Sequence, residues 1–128
     1  FIFDTALPPP AVAAAQAALS LLQAHPEWPT TLQQRASGFS DALRSAGLPV
    51  MNGASHIVPI LLGESEHAVQ MARTLRTRGL LVGAIRPPTV PPHTARLRLS
   101  ISLGHSTQEL ADAVPVIQSV FEATRAHV

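Results

Sequence analysis

The chain has 128 residues, of which 46% are hydrophobic and 13% are charged, so its composition fits a folded domain and excludes a disordered tail. Nine basic residues face eight acidic ones with no consecutive basic run, which makes nucleic acid an unexpected partner. No apolar stretch has the roughly 18–20 residues of a membrane span, and the absence of cysteine excludes disulfides and sulfur-bound zinc.

The first quarter of the sequence predicts a strand and a helix. Residues 1–3 are aromatic and β-branched and predict a short strand, which ends before the prolines at 8–10. Residues 11–23 are nearly all Ala, Leu and Gln, which predicts a helix that ends before Pro26. Because this helix is apolar on nearly all sides, we expect it to be buried.

A second helix is predicted from Pro29 to Ala46. Its apolar residues recur at spacings of four and three, and Gly47 stands where a left-handed residue ends a helix. The stripe consists of Leu32, Ala36, Phe39, Leu43 and Ala46. The next run, residues 57–62, predicts a strand that Pro59 restricts to an edge of a sheet.

The remaining sequence predicts helix, strand, strand and helix. A third helix begins at residues 64–66 and ends at Gly79, and the apolar run 80–85 predicts a strand. Residues 96–103 alternate strictly between apolar and polar, which indicates a strand with one solvated face in a mainly antiparallel sheet. Ser106 and Glu109 form a capping box before the last helix, and Pro115 should kink or split that helix. The predicted fold class is α/β (α+β), a small antiparallel sheet with helices on one face.

Most kinds of reactive site lack a sequence pattern here. The six histidines have no metal-ligand spacing, and neither a nucleophile elbow nor a phosphate-binding glycine loop is present, so no metal site is predicted. Arg86 is the exception, because it follows an apolar strand and precedes two prolines that restrict its backbone. Its planar guanidinium suits a carboxylate or a phosphate. The alternatives are a surface arginine at position 86 and, for Thr89, a turn hydroxyl bonded to its own backbone.

Five segments together resemble the C-terminal part of the α-oxoamine synthases, which are pyridoxal-phosphate enzymes of the aspartate-aminotransferase fold. They are residues 1–9, 57–60, 83–92 and 94–102, followed by His105. The runs I-R-P-P-T-V-P and T-A-R-L-R most resemble the biotin-pathway member of the family. The resemblance implies that residues 1–25 are the last strand and connecting helix of a large domain. Residues 26–128 would then form the C-terminal small domain.

This resemblance also implies a reaction and its site residues. The reaction is a decarboxylative condensation of L-alanine with a pimeloyl thioester, carried by coenzyme A or a carrier protein, in a cytoplasmic homodimer with pyridoxal 5'-phosphate. Arg86 would bind the carboxylate of the amino acid, Thr89 would lie beside the acyl thioester, and Thr5 would reach the cofactor phosphate across the dimer interface. Asp4 departs from the family, which usually has a small hydroxyl residue there. Arg96 and Arg98 also match the family, with a solvent-facing strand position as the alternative.

The sequence contains no lysine, since all nine basic residues are arginine. Because the family holds its cofactor as a Schiff base on a lysine, we expect the chain to be an inactive piece of a longer enzyme, with no catalytic residue of its own. The first residue, which is not methionine, favours the same interpretation. Three alternatives remain: an α-oxoamine synthase that uses glycine or serine, a non-catalytic α/β module that binds an anion through Arg86, and a domain that serves only in packing.

Overall fold

The computed structural model describes residues 2–125 and divides after Thr30 into two compact units. Four helices and three strands follow one another along the chain. They are α1 (Pro9–Ala24), α2 (Trp28–Ser45), β1 (Ile57–Gly63), α3 (Ser65–Thr77), β2 (Gly83–Ile85), β3 (Ala95–Ser100) and α4 (Thr107–Arg125). None of these helices, over the part of the chain that is described, combines the length and apolar character needed to cross a membrane.

The first unit consists mainly of α1. The predicted helix is confirmed and begins on the proline run, where a proline costs no hydrogen bond. Its predicted burial is wrong for this chain, since no residue of α1 is buried and Leu19 is 57% exposed. The predicted strand at residues 1–3 is also wrong as far as it is described: Ile2 and Phe3 form a turn, and Phe1 lies outside the described residues. A strand needs a neighbouring backbone to pair with, and no described strand pairs with this segment. Its membership of a larger domain stays a prediction.

The second unit contains an antiparallel sheet with the strand order β1-β3-β2. The alternation in β3 buries Ala95, Leu97 and Leu99 and leaves Arg98 on the open face. The buried face packs against apolar side chains from α2, α3 and α4. These side chains include Phe39, Leu43, Met71, Leu75, Leu110 and Ile117. The predicted fold class is confirmed, with the helices covering one face of the sheet.

Proline and glycine act largely as the sequence indicates. Pro59 lies in β1, an edge strand, where its carbonyl accepts a hydrogen bond from Met51 N–H at 2.9 Å on the side away from β3. Its missing N–H therefore falls on that outer side and removes no bond of the sheet. Gly47 and Gly79 adopt φ of +83° and +85° at the ends of α2 and α3, as a left-handed helix end requires.

Two predicted strand boundaries and one predicted helix break differ from the structure. The strand predicted over residues 80–85 is reduced to β2, because Leu81 is 83% exposed and residues 80–82 pair with no strand. The strand predicted over residues 96–103 ends at Ser100, and a turn follows at residues 103–104. Pro115 does not split the last helix, since α4 runs through it without interruption. Core contacts on both sides of the proline hold the two halves together despite the lost backbone hydrogen bond.

Candidate functional site

Arg86 stands at the end of β2 and begins the connection to β3, residues 86–94, which we call the Arg86 loop. Two tight turns shape this loop. At its start Thr89 N–H donates to the Arg86 carbonyl at 3.1 Å, and at its end the Thr94 hydroxyl donates to the Pro91 carbonyl at 2.7 Å. Because prolines also fix four of its φ angles, the loop has few backbone conformations available to it.

The Arg86 side chain lines an open pocket of about 450 Å³. All the other lining residues belong to one face of α3. They are Ser65, Glu66, Val69, Gln70, Arg73 and Thr74. The pocket thus brings together two guanidinium groups, and neither Arg73 nor Arg86 forms an ion pair within residues 2–125. Two unpaired cations beside one cavity make a positive potential that attracts an anion.

Within residues 2–125, Glu66 is the only carboxylate that lines this pocket. It lies two helical turns before Arg73, a separation of about 10 Å along the axis of α3 at 1.5 Å per residue. Arg86 follows β2 at the edge of the sheet where β1 ends and α3 begins, because Leu61 and Ile85 both pair with Arg96. The pocket lining therefore carries two guanidinium groups and one carboxylate, with Arg73 further along α3 than Glu66. An anion in this pocket is expected to bind a guanidinium, which can offer it two parallel N–H donors.

Arg73 is a site residue that the sequence alone does not indicate. It is one of several arginines near the end of a helix, where a basic side chain ordinarily stabilises the helix dipole. Nothing in the sequence indicates that α3 lies beside the end of β2. A helical face that carries a basic residue next to an unpaired arginine is visible only after the fold is known.

The structure places Thr89 close to Arg86 within the same turn. Thr89 is exposed, and its hydroxyl has no hydrogen-bond partner among residues 2–125, so the alternative of a hydroxyl bonded to its own backbone is not observed in that range. A free hydroxyl at this point can donate to, or accept from, a bound molecule. Its predicted contact with an acyl thioester stays a prediction.

Thr5 belongs to the first unit and is exposed. Its backbone N–H donates to the Asp4 carboxylate at 2.9 Å, which keeps that carboxylate directly beside Thr5. A carboxylate in this place opposes a phosphate, so the described residues around Thr5 do not by themselves form a phosphate site. With no lysine in the sequence, the chain's own residues also offer no amine for a Schiff base. The residues present therefore do not hold the cofactor alone.

Arg96 and Arg98 lie on the open face of the sheet, as the strand pattern predicts. The Nε of Arg96 donates to the Thr94 carbonyl at 3.0 Å, so this side chain braces the end of the Arg86 loop. The Arg98 guanidinium lies 3.8 Å from the position that a Cβ on Gly83 would occupy. The missing side chain at residue 83 leaves room for the guanidinium to cross the neighbouring strand.

His105 has a structural role in the turn after β3. Its Nδ1 accepts the Ser102 N–H at 3.0 Å, and the Arg35 guanidinium donates to the His105 carbonyl at 2.7 Å. The predicted capping box follows at once: Ser106 N–H donates to the Glu109 carboxylate at 2.7 Å, and Glu109 N–H donates back to the Ser106 hydroxyl at 3.1 Å. The backbone hydrogen bond from Ser106, followed by the bond from its hydroxyl, lowers the pKa of Glu109.

The pocket lined by Arg86 and Arg73 is a candidate anion-binding site on a small α+β domain, and comparison with known proteins gives the class of the chain. The family model for aminotransferase class I and II matches residues 1–117, so the chain belongs to that family. Within residues 2–125 no group of three or more potential metal ligands occurs.

The relatives named in curated sequences narrow the class further. The chain is 37% identical to the 8-amino-7-oxononanoate synthase of Cellvibrio japonicus (strain Ueda107), over 97% of this chain and 31% of the relative. It is 46% identical to the same-named protein of Methylobacterium sp. (strain 4-46), over 86% of this chain and 28% of the relative. The chain thus spans about a third of the length of the curated relatives it matches.

Comparison with solved structures supports the same class of protein. Serine palmitoyltransferase from S. paucimobilis with a bound PLP–myriocin aldimine superposes with a TM-score of 0.86 and 28% identity, over 97% of this chain and 32% of that chain. Both kinds of relative are α-oxoamine synthases, so the resemblance drawn from the sequence motifs is confirmed. Pyridoxal phosphate is the cofactor of this family.

Proposed function

We propose that this chain is the C-terminal part of an enzyme that condenses L-alanine with a pimeloyl thioester to give 8-amino-7-oxononanoate, carbon dioxide and the free thiol carrier. In this proposal residues 1–25 complete a large domain and residues 26–128 form the small domain of a cytoplasmic homodimer. The sequence relatives of that name support the choice of reaction. The pocket lined by Arg86 supports the role of the small domain in binding the substrates.

One observation carries the proposal: Arg86 has no ion pair within residues 2–125, and it lines a pocket that Arg73 also lines. In the intact enzyme Arg86 binds the carboxylate of the amino acid through two parallel N–H donors, and Arg73 adds positive potential to the same pocket. The hydroxyl of Thr89, in the same turn, donates a hydrogen bond to the acyl thioester. The adjacent prolines keep Arg86 in place, so little conformational entropy is lost when the carboxylate binds.

The cofactor is held mainly by parts of the enzyme outside this sequence. In the family it acts as the electron sink for carbanion chemistry, bound to a lysine. Thr5 contributes at most a hydroxyl to the cofactor phosphate, across the dimer interface and only if the Asp4 carboxylate turns away. The 128-residue chain alone is therefore expected to be inactive even when pyridoxal phosphate is added.

The test of this site is the substitution Arg86→Ala in the complete enzyme. Loss of a charge-assisted bidentate contact of about 1.5–3 kcal/mol lowers kcat/KM for alanine about 10- to 150-fold. Arg86→Lys is also impaired, because an ammonium lacks the planar fork. Arg76→Ala is the matched control, since Arg76 is exposed on α3 but does not line the pocket. A kcat/KM for alanine within twofold of the parent value in Arg86→Ala would remove Arg86 from the site.

A second reaction in the same family is favoured by the structural neighbours. Serine palmitoyltransferase, whose name specifies serine, has the same fold over nearly the whole chain. If the complete enzyme uses serine or glycine, Arg86 keeps its role, because all three amino acids present the same carboxylate. The amino-acid preference must then be decided by product analysis rather than by Arg86 variants.

A further inference from the structure

The far end of the Arg86 loop is joined to the segment that precedes α3. His93 Nδ1 lies 2.8 Å from the Glu64 carboxylate, a contact between residues 29 positions apart in the sequence. Glu64 occupies the position directly before the first residue of α3, and its side chain makes no capping hydrogen bond to the helix. This carboxylate is therefore available to His93.

The backbone of His93 is in an unusual conformation for a residue with a side chain. Its φ is +58°, in the left-handed region that glycine adopts without strain. The His93 side chain is 80% exposed, so packing does not explain its presence. Within residues 2–125 its one polar contact is the bond to Glu64. A glycine would fit this backbone better, and the contact with Glu64 is what the imidazole adds.

The other hydrogen bonds of the Arg86 loop leave its orientation toward α3 unspecified. Three of them close turns within the loop, and a fourth comes from Arg96 of the adjoining strand β3. Of the side-chain hydrogen bonds in the described range 2–125, only the one between His93 and Glu64 reaches from the loop to the start of α3. Since α3 forms the rest of the pocket, this bond connects the two walls of the site.

We propose that His93 and Glu64 are positioning residues: together they hold the Arg86 loop against the start of α3, so that Arg86 and Thr89 are oriented before the substrates bind. The inference rests on the proposed function of that site and extends it to two residues that touch no substrate. When the bond is removed, the loop samples more conformations, and each binding event must order it again. Weaker binding of this kind raises KM and leaves kcat nearly unchanged, because the ground state and the transition state lose the same contact energy.

The test uses the complete enzyme with His93→Gly, Glu64→Ala and the double variant. An exposed contact of this kind couples its two segments by at most about fivefold. We therefore expect KM for the amino acid and for the thioester to rise about two- to fivefold in each single variant, with kcat within twofold. The double variant should be no worse than Glu64→Ala. The control is Glu27→Ala, because Glu27 forms the comparable exposed contact with His25 at 3.3 Å.

Stability and hydrogen exchange separate positioning from a general structural effect. Because glycine relieves the left-handed backbone, His93→Gly should leave Tm unchanged or raised while KM rises. The amides of Thr89 and Thr94 should exchange about two- to fivefold faster in both single variants. A rise in KM that is accompanied by a fall in Tm in His93→Gly would overturn the positioning role.

The remaining outcomes distinguish this inference from the proposed function. If Arg86→Ala impairs alanine use but both KM values stay within 1.5-fold in His93→Gly and Glu64→Ala, the positioning role is wrong and the proposed function stands. If Arg86→Ala has no effect, the part of the proposed function that assigns carboxylate binding to Arg86 fails. In that case hydrogen exchange decides whether the contact between His93 and Glu64 holds the Arg86 loop. Unchanged exchange of the Thr89 and Thr94 amides in His93→Gly and Glu64→Ala would overturn the positioning role.

Discussion

The contact between α3 and α4 makes a quantitative prediction, because it contains a buried polar pair. His67 and Thr124 are 6% and 4% exposed, and His67 Nε2 lies 3.0 Å from the Thr124 hydroxyl. That hydroxyl donates its proton to the Val120 carbonyl at 2.8 Å. Since a hydroxyl has a single proton, the Nε2–H of His67 must be the donor in the pair. The tautomer of a buried histidine is thus determined by one helix carbonyl.

The perturbation is Thr124→Val, which keeps the shape of the side chain and removes its oxygen. His67 is then left with a buried N–H that has no acceptor, which costs about 1–3 kcal/mol of unfolding free energy. For a domain of about 100 residues this lowers Tm by roughly 5–20 °C. Urea unfolding of the 128-residue chain, followed by circular dichroism, measures the change.

Two further variants make the result interpretable. Thr77→Val is the matched control, since the Thr77 hydroxyl also donates to a helix carbonyl, at 2.8 Å, but is exposed. It should change the unfolding free energy by less than about 0.5 kcal/mol. Replacing both partners, in His67→Phe with Thr124→Val, should recover most of the loss, because no unpaired donor remains. Equal stability of Thr124→Val and the parent chain would refute the hydrogen-bond assignment.

Three other predictions concern the capping box and the core. Ser106→Ala removes the cap of α4 and should lower the unfolding free energy by about 1 kcal/mol, measured by urea unfolding. The control Ser119→Ala, at an exposed position in the same helix, should change the unfolding free energy far less. Equal losses in the two variants would contradict the cap. Hydrogen bonds from Ser106 lower the pKa of Glu109 in the folded chain. The ionised Glu109 carboxylate therefore stabilises the fold at any pH above the ordinary glutamate pKa of about 4.3, and this stabilisation is lost as the pH falls through the lowered pKa of the folded state. Glu109→Gln should therefore flatten the acid limb of stability against pH, and an NMR titration midpoint at or above the ordinary value would refute this. Leu43→Ala, at a fully buried position, should lower the unfolding free energy by about 2–5 kcal/mol. Leu22→Ala, at a 51% exposed position, should lower it little. Similar losses of unfolding free energy at both positions would contradict the assigned core.

The sequence predicts those parts of the fold in which a local pattern and its packing agree. The alternation in β3 and the stripe in α2 each define one buried face, and the capping box of α4 is entirely local. Where a neighbour decides the outcome, the pattern fails. Residues 1–3 have strand propensity but no described strand to pair with, and α1 is apolar with no core in its own unit to cover it.

The candidate site is predictable only in part, for the same reason. The chemistry of Arg86 follows from its side chain and from the prolines after it. The presence of Arg73 in the same pocket depends on how α3 packs beside β2, and no spacing in the sequence encodes that. The contact of His93 with Glu64 joins residues far apart in the chain. A histidine in a proline-rich loop gives no signal of a left-handed backbone or of its partner.

The most direct test of the account is a product analysis on the complete enzyme of which this chain forms part. Alanine, glycine and serine are each offered with pimeloyl and longer acyl thioesters, and the condensed product and released carbon dioxide are measured together. We expect alanine with a pimeloyl thioester to give the highest kcat/KM, with one carbon dioxide released per 8-amino-7-oxononanoate formed. Preference for glycine or serine would contradict the assigned reaction, and the absence of a condensed product with every pair would contradict the synthase function itself.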